Sequence, residues 1–95
     1  MFIISLTYIK SLEEVDSLLR EHVAYLSEQY SLGNFLVSGR KVPRNGGIIL
    51  ARGVVREEIE TIITLDPFYR HGIATYEIME FSPTMTVDQL AFLRE

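Results

Sequence analysis

The chain has 95 residues, of which 47% are hydrophobic and 23% charged, with a formal net charge of −4 and no cysteine. That length supports one core rather than two, the apolar content is too high for a chain that stays unfolded, and the lack of thiols excludes disulfides, thiolate metal centres, iron–sulfur clusters and cysteine nucleophiles. The acidic balance disfavours a general binder of phosphate backbones, so no nucleic-acid partner is expected. Met1–Ile9 is apolar but short, and Lys10 follows it instead of preceding it, the reverse of a secretory leader. No stretch approaches the ~20 apolar residues of a membrane helix. The expectation is a cytoplasmic protein with no membrane partner.

In chain order, Phe2–Ile9 reads as a strand rich in Ile, Phe, Thr and Tyr. Ser11 and Glu14 have capping-box spacing. Leu12, Val15, Leu19, Val23, Leu26 and Tyr30 recur at helical intervals, which predicts one long helix from about Leu12 to about Leu32, stopped by Gly33. Phe35–Val42 and Ile48–Arg52 form a hairpin through a turn at Arg44-Asn45-Gly46-Gly47, where Asn and Gly tolerate positive φ. Pro43 suits a strand end. Arg56–Leu65 is a second helix with Ile59, Ile62 and Ile63 inward. Gly53-Val54-Val55 offers it no capping oxygen, and Asp66-Pro67 ends it. Ile73–Phe81 is the fourth strand. Beyond Pro83, Thr86–Glu95 is predicted to form a short amphipathic helix with a Thr86/Gln89 capping box and Val87, Leu90, Ala91 and Leu93 inward.

The resulting order, β-α-β-β-α-β with a tail, is an α+β, ferredoxin-like split-βαβ arrangement. Both helices then pack on one sheet face. Ile3, Ile9, Ile49, Ala51, Met79 and Phe81 include residues for the other face that are too apolar for open water. A second copy closing over that face is the economical partner, which predicts a homodimer, or a higher homo-oligomer, built as a dimeric α+β barrel.

Three positions carry chemical potential. His22 falls on the apolar stripe of the first helix. It reads either as a core histidine satisfied by one hydrogen bond or as a general acid/base, since imidazole ordinarily titrates near ~6.5. Asp66 sits where the second helix ends, against the negative end of the helix dipole. It is either a turn residue before proline or a carboxylate aimed at His22 on the neighbouring helix, where it would fix the ring tautomer. Ser38 interrupts the apolar run Phe35-Leu36-Val37, and Gly39 after it permits close approach of a ligand or another backbone; a β-bulge with a buried hydroxyl is the plainer reading. No nucleophile elbow accompanies Ser38. Arg40, Lys41, Arg44, Arg52 and Arg56 gather five of the nine basic residues around the hairpin. They either draw in an anionic, carboxylate-bearing small molecule or guard a sheet edge. His71 lies in a polar loop with no neighbours at metal spacing, no phosphate-loop or dinucleotide fingerprint is present, and the third strand lacks the aromatics of an RNA-binding sheet. No metal and no cofactor are expected.

The opening strand Phe2–Tyr8, His22 followed by Val23-Ala24-Tyr25-Leu26, the run Phe35–Arg40, Gly46-Gly47, Arg56-Glu57-Glu58-Ile59 and Asp66-Pro67-Phe68 occur together in the order and spacing of a known family. Over residues 1–84 the chain resembles the YciI-like (YCII-related) proteins, with 85–95 as a C-terminal extension past their usual end. The resemblance implies a dimeric α+β barrel similar to muconolactone isomerase. It also implies an active-site His and Asp, matching His22 and Asp66, joined in some enzymes by a Ser matching Ser38. Some relatives are dehydrochlorinases or related lyases acting on ring-derived compounds. Gly39, Arg40, Pro67 and Phe68 flank these positions and are expected to touch substrate. Val54-Val55 departs from the polar cap expected there. The functional expectation is metal-free lyase or isomerase chemistry by a His-Asp pair. The alternatives are a non-catalytic module holding a small carboxylate and a sealed structural pair.

Overall fold

Side-chain alternation along the first strand decides which sheet face is covered. In the computed structural model, which describes residues 1–95, β1 spans Phe2–Tyr8, and Phe2, Ile4 and Leu6 are no more than 2% exposed. β3 (Gly46–Ala51) and β4 (Ala74–Glu80) flank it antiparallel, and β2 (Phe35–Arg40) pairs with β3 at the edge, giving the order β2-β3-β1-β4. Register places Ala51 beside Phe2, with Ile49 and Ile78 on either side of Ile4 and Gly47 and Tyr76 on either side of Leu6. These residues share the covered face, because paired residues point the same way. Helices α1 (Leu12–Ser17), α2 (Leu19–Ser31), α3 (Arg56–Thr64) and α4 (Pro67–Arg70) supply the second layer, and Val15, Tyr25, Ile59, Ile63 and Phe68 pack down into the core. This is the ferredoxin-like α+β sandwich read from the sequence.

Several expectations are corrected. The long first helix is two helices that meet at Leu18 (φ −110°, ψ 3°). The Ser17 hydroxyl donates to the Glu14 carbonyl at 2.6 Å, a local bond that competes with the helical ladder. The break resets the buried stripe: Leu19, Val23 and Tyr30 are exposed, whereas Tyr25 and Gln29 are buried, with His22 and Leu26 half-buried on the same side. The second strand ends at Arg40, short of Val42, and the third begins at Gly46 inside the expected turn. The reason is steric: a Cβ on Gly46 would lie 1.8 Å from the Leu6 carbonyl oxygen, so only glycine lets β3 run that close to β1. The bulge in β2 sits between Phe35 and Val37, ahead of Ser38. Ile49 and Ala51 belong to the helix-covered face. The open face presents Ile3, Val37, Ile48, Leu50 and Met79 instead, while Ile9 and Phe81 lie outside the strands.

The tail also differs. It forms a 3-10 helix over Asp88–Leu93 with Val87 as cap, and Thr86 accepts from Arg94 Nε at 2.7 Å instead of capping. Val87, Leu90 and Ala91 are exposed, because the segment is held by polar ties, Glu95 N–H to the Pro83 carbonyl and Ser82 Oγ to Glu95, and by Arg52 over the Phe92 ring. No helix is long and apolar enough to cross a membrane.

Helix α3 starts at Val55, which has extended dihedrals (φ −88°, ψ 166°), is 56% exposed and makes no side-chain cap. Val55→Asp supplies the missing acceptor and a favourable charge at the N-terminus, and should add about 1 kcal/mol. A thermal melt should then rise by about 4–8 °C; an unchanged melt would mean that the first turn is already satisfied by water.

Candidate active site

Asp66 serves two helices at once. It follows the C-cap of α3, and it is the N-cap of α4, with Pro67 at the first helical position. The Asp-Pro pair read as a stop is therefore also a start, since an Asx cap followed by proline is an N-terminal pattern. The end-of-helix dipole argument against a carboxylate does not hold here, because the following helix turns its free N–H groups toward it.

The carboxylate is fully buried and fully engaged. Oδ1 accepts from the Phe68 backbone N–H at 3.0 Å and from His22 Nδ1 at 2.8 Å, and Oδ2 accepts from the Tyr76 hydroxyl at 2.5 Å. An ionised carboxylate only accepts, so Nδ1 carries the proton, and in the neutral ring Nε2 then holds the free lone pair. The His22 ring lies over Phe68 at 4.0 Å between centroids and 7° between planes, which fixes its tilt. The Tyr25 ring lies 6.2 Å from the imidazole, inclined by 30°, and its hydroxyl donates to the Ile62 carbonyl. Burial, reinforced by the Asp66 charge, pushes both the Tyr25 and Tyr76 hydroxyls well above the ordinary tyrosine value of 10.0. Both therefore remain donors throughout the neutral range.

His22 borders a cavity of about 370 Å³ between α2 and the β2–β3–β1 side of the sheet. Leu6, Leu19, Leu26, Ile49 and Phe68 make its apolar walls. Ser38, Gly39, Arg40 and Arg44 reach it from the β2–β3 hairpin. A cavity of this size falls within the range of small-molecule pockets. Of the residues singled out from the sequence, His22, Ser38, Gly39, Arg40 and Phe68 border this one space, and Asp66 lies directly behind His22. Pro67 does not border it, because the α4 cap turns it away as the first helical residue. The five basic residues divide: Arg40 and Arg44 face the cavity, Lys41 bonds Thr7, Arg52 lies over Phe92, and Arg56 pairs with Glu60. Arg44 is itself paired with Asp16 across the rim at 2.5 Å.

Sequence reasoning missed two contributors. Tyr76 occupies a covered-face position of β4 between Ala74 and Ile78, and a polar tip at such a position was the available signal. Tyr30 read as part of the apolar stripe, yet its hydroxyl lies 2.5 Å from Ser38 Oγ. That contact depends on where α2 ends over β2, which no local pattern reveals.

Two outcomes test this geometry. Asp66→Ala orphans three donors and should cost about 3 kcal/mol or more in urea unfolding; a loss under about 1 kcal/mol would mean that water replaces the carboxylate. For the tyrosines, the folded values lie above the unfolded one. Their contribution is therefore complete below 10.0 and is lost as pH rises beyond it. Melts recorded at increasing alkaline pH should fall from that point, less steeply in Tyr76→Phe; parallel falls in both proteins would contradict the assignment.

The sequence profile of the YCII-related domain matches residues 1–82. A search of curated proteins found no match. Among solved structures, the chain is similar to 5-chloro-2-hydroxyhydroquinone dehydrochlorinase from Burkholderia phenoliruptrix AC1100 in complex with 2,5-dihydroxybenzoquinone, with TM-score 0.74 and 17% identity, over 85% of this chain and 92% of that one. At that identity the likeness speaks for the fold, and it agrees with the sheet order and helix placement described above. Since the profile spans nearly the whole sandwich, from β1 to just beyond β4, the chain belongs to the family of YCII-related domains.

Proposed function

We propose that the cavity beside His22 is the active site of a small-molecule lyase or isomerase that works by acid/base chemistry on a ring-derived substrate. The observation that carries this reading is the Asp66–His22 contact of 2.8 Å, which commits Nδ1 as the donor, so that the neutral ring keeps its lone pair on Nε2, in a residue bordering an open, mostly apolar hollow. In an elimination, Nε2 takes a proton from a ring carbon next to a carbonyl. The C–H electron pair becomes the new double bond, and the leaving group departs with its own bonding pair. In an isomerisation the same imidazolium returns the proton elsewhere on the ring. Asp66 holds the tautomer and balances the imidazolium that forms, while Ser38 hydrogen-bonds the substrate oxygen or leaving group. Gly39, Arg40 and Phe68 form the remaining contacts. The dehydrochlorinase likeness supports a halide as the leaving group. Acid/base residues of this type contribute about 10²–10⁴-fold. His22→Ala should therefore reduce chloride release from 5-chloro-2-hydroxyhydroquinone by about 100-fold or more, with an unchanged far-UV spectrum. Undiminished release would exclude the mechanism. Stoichiometric binding with the compound recovered intact from the unaltered protein would favour a ligand-binding module.

The working unit we propose is a homodimer closed over the open sheet face. Val37 and Met79 are 53% and 64% exposed there, beside Ile3, Ile48 and Leu50. Met79→Lys places a charge in that face without touching the core. Light scattering should then report one copy where the unaltered chain reports two. If the unaltered chain is itself monomeric, the dimer proposal fails.

A further inference from the structure

We infer that Tyr30, Ser38 and Arg40 form an oxyanion subsite on the strand wall of the cavity, with Tyr30 as a positioning residue that turns the Ser38 proton toward the ligand. The inference rests on reading the cavity as the substrate site, and adds the chemical class of the group bound there: a carboxylate or phenolate oxygen.

The argument starts from register. Ser38 pairs with Ile49 and Arg40 with Gly47, so both belong to the helix-covered face of β2, opposite α2, which carries His22. Tyr30 and Ser38 oxygens lie 2.5 Å apart, so one of them donates. A phenol is far more acidic than an aliphatic hydroxyl, and the stronger donor gives its proton to the better acceptor. Tyr30 therefore donates to Ser38 Oγ, and the serine's own proton is free to point away from Tyr30. Ser38 borders the cavity and Tyr30 does not, so the free proton belongs to the cavity side. The ligand atom placed there must accept.

The charges lead to the same conclusion. Two guanidinium groups reach the cavity. Arg44 is compensated by Asp16, while Arg40 is in no ion pair and has no hydrogen-bonding side-chain partner. The other ionisable groups at the wall are His22, whose Nδ1 is committed to Asp66, and Tyr8. An uncompensated guanidinium next to an outward-turned hydroxyl proton favours an oxygen bearing negative charge and disfavours an amide N–H. A substrate anchored there directs the rest of its ring across the cavity toward the helix that carries His22.

Benzoate and benzamide are matched probes, since they share the ring and differ in charge and in the donors on one atom. By calorimetry at one pH, benzoate should bind about tenfold or more tighter than benzamide, the gain typical of a charge-assisted hydrogen bond. Arg40→Gln, on the exposed strand edge, should bring the two close to equal. Tyr30→Phe keeps the ring against Phe35. It should weaken benzoate about threefold to tenfold when Ser38 is present, and less than about twofold in the Ser38→Ala background, because its effect passes through the serine. A merely structural Tyr30 would weaken binding equally in both. Equal affinities in the unaltered protein, no benzoate binding at about 10 mM, or an equal Tyr30→Phe penalty in both backgrounds overturns the inference. None of these measurements needs turnover. Failure of the subsite therefore leaves the His22 mechanism to its own test, and an inert His22 leaves the subsite standing.

Discussion

A carboxylate with no exposed surface persists in a small domain only if its charge is answered on every side. Asp66 meets that requirement through three donors from three segments: a backbone N–H of the helix it caps, a tyrosine hydroxyl from the last strand and an imidazole from α2. The capping bond is local, but the other two exist only once β4 and α2 have packed against α4. Asp66 therefore acts as a latch that couples the helix layer to the sheet. Its own burial depends on the layers being in place, and the orientation of His22 depends on it in turn. Stability and the orientation of His22 share one hydrogen-bonded centre.

The cavity follows from how that centre sits relative to the sheet. Phe68 is buried beneath the imidazole and forms part of the wall at the same time. On the opposite side, the glycines of the hairpin bring β3 close to β1 and leave room above the strands. A Cβ at Gly46 would collide with the Leu6 backbone, whereas Gly39 has open space around its Cβ position. Gly39 alternates with Ser38 and Arg40, so the space at its Cβ position lies on the uncovered sheet face. The two ends of the cavity differ in chemistry: the His22 imidazole belongs to the helix side, and the Ser38 hydroxyl and the Arg40 guanidinium belong to the strand side.

Local order was legible wherever its cause is local. The strands were visible from β-branched and aromatic residues, the stop at Gly33 from glycine's tolerance of positive φ, here 79°, and the Ser11 cap from its spacing to Glu14, whose N–H it accepts at 3.2 Å. Errors arose where a local bond or a neighbouring strand overrode the pattern. The first helix broke at Leu18, next to the Ser17 bond, and its buried stripe shifted, so Tyr25 and Gln29 replaced Leu19 and Val23 in the interior. Gly46 and Gly47 looked like turn residues because glycine permits turns, but here glycine permits close strand approach. Ile49 and Ala51 were assigned to the open face, and the pairing with β1 put them on the covered one. His22 and Ser38 stood out as polar residues in apolar runs and Asp66 as a carboxylate at a helix end, and the family resemblance singled out the same positions.

By itself the sequence determined the kind of object this is: one acidic α+β domain without thiol chemistry, its elements in ferredoxin-like order, with a histidine and a serine set into its apolar pattern and an aspartate at a helix end. Only the tertiary structure decided what those residues touch. His22 and Asp66 are 44 positions apart and Asp66 and Tyr76 are 10 apart. Their convergence depends on the rotation of α2 after the break at Leu18 and on the register of β4 against β1. Those quantities are set by the packing of the two layers as a whole. A periodicity of 2 or 3.6 reports only which side of its own element a residue faces.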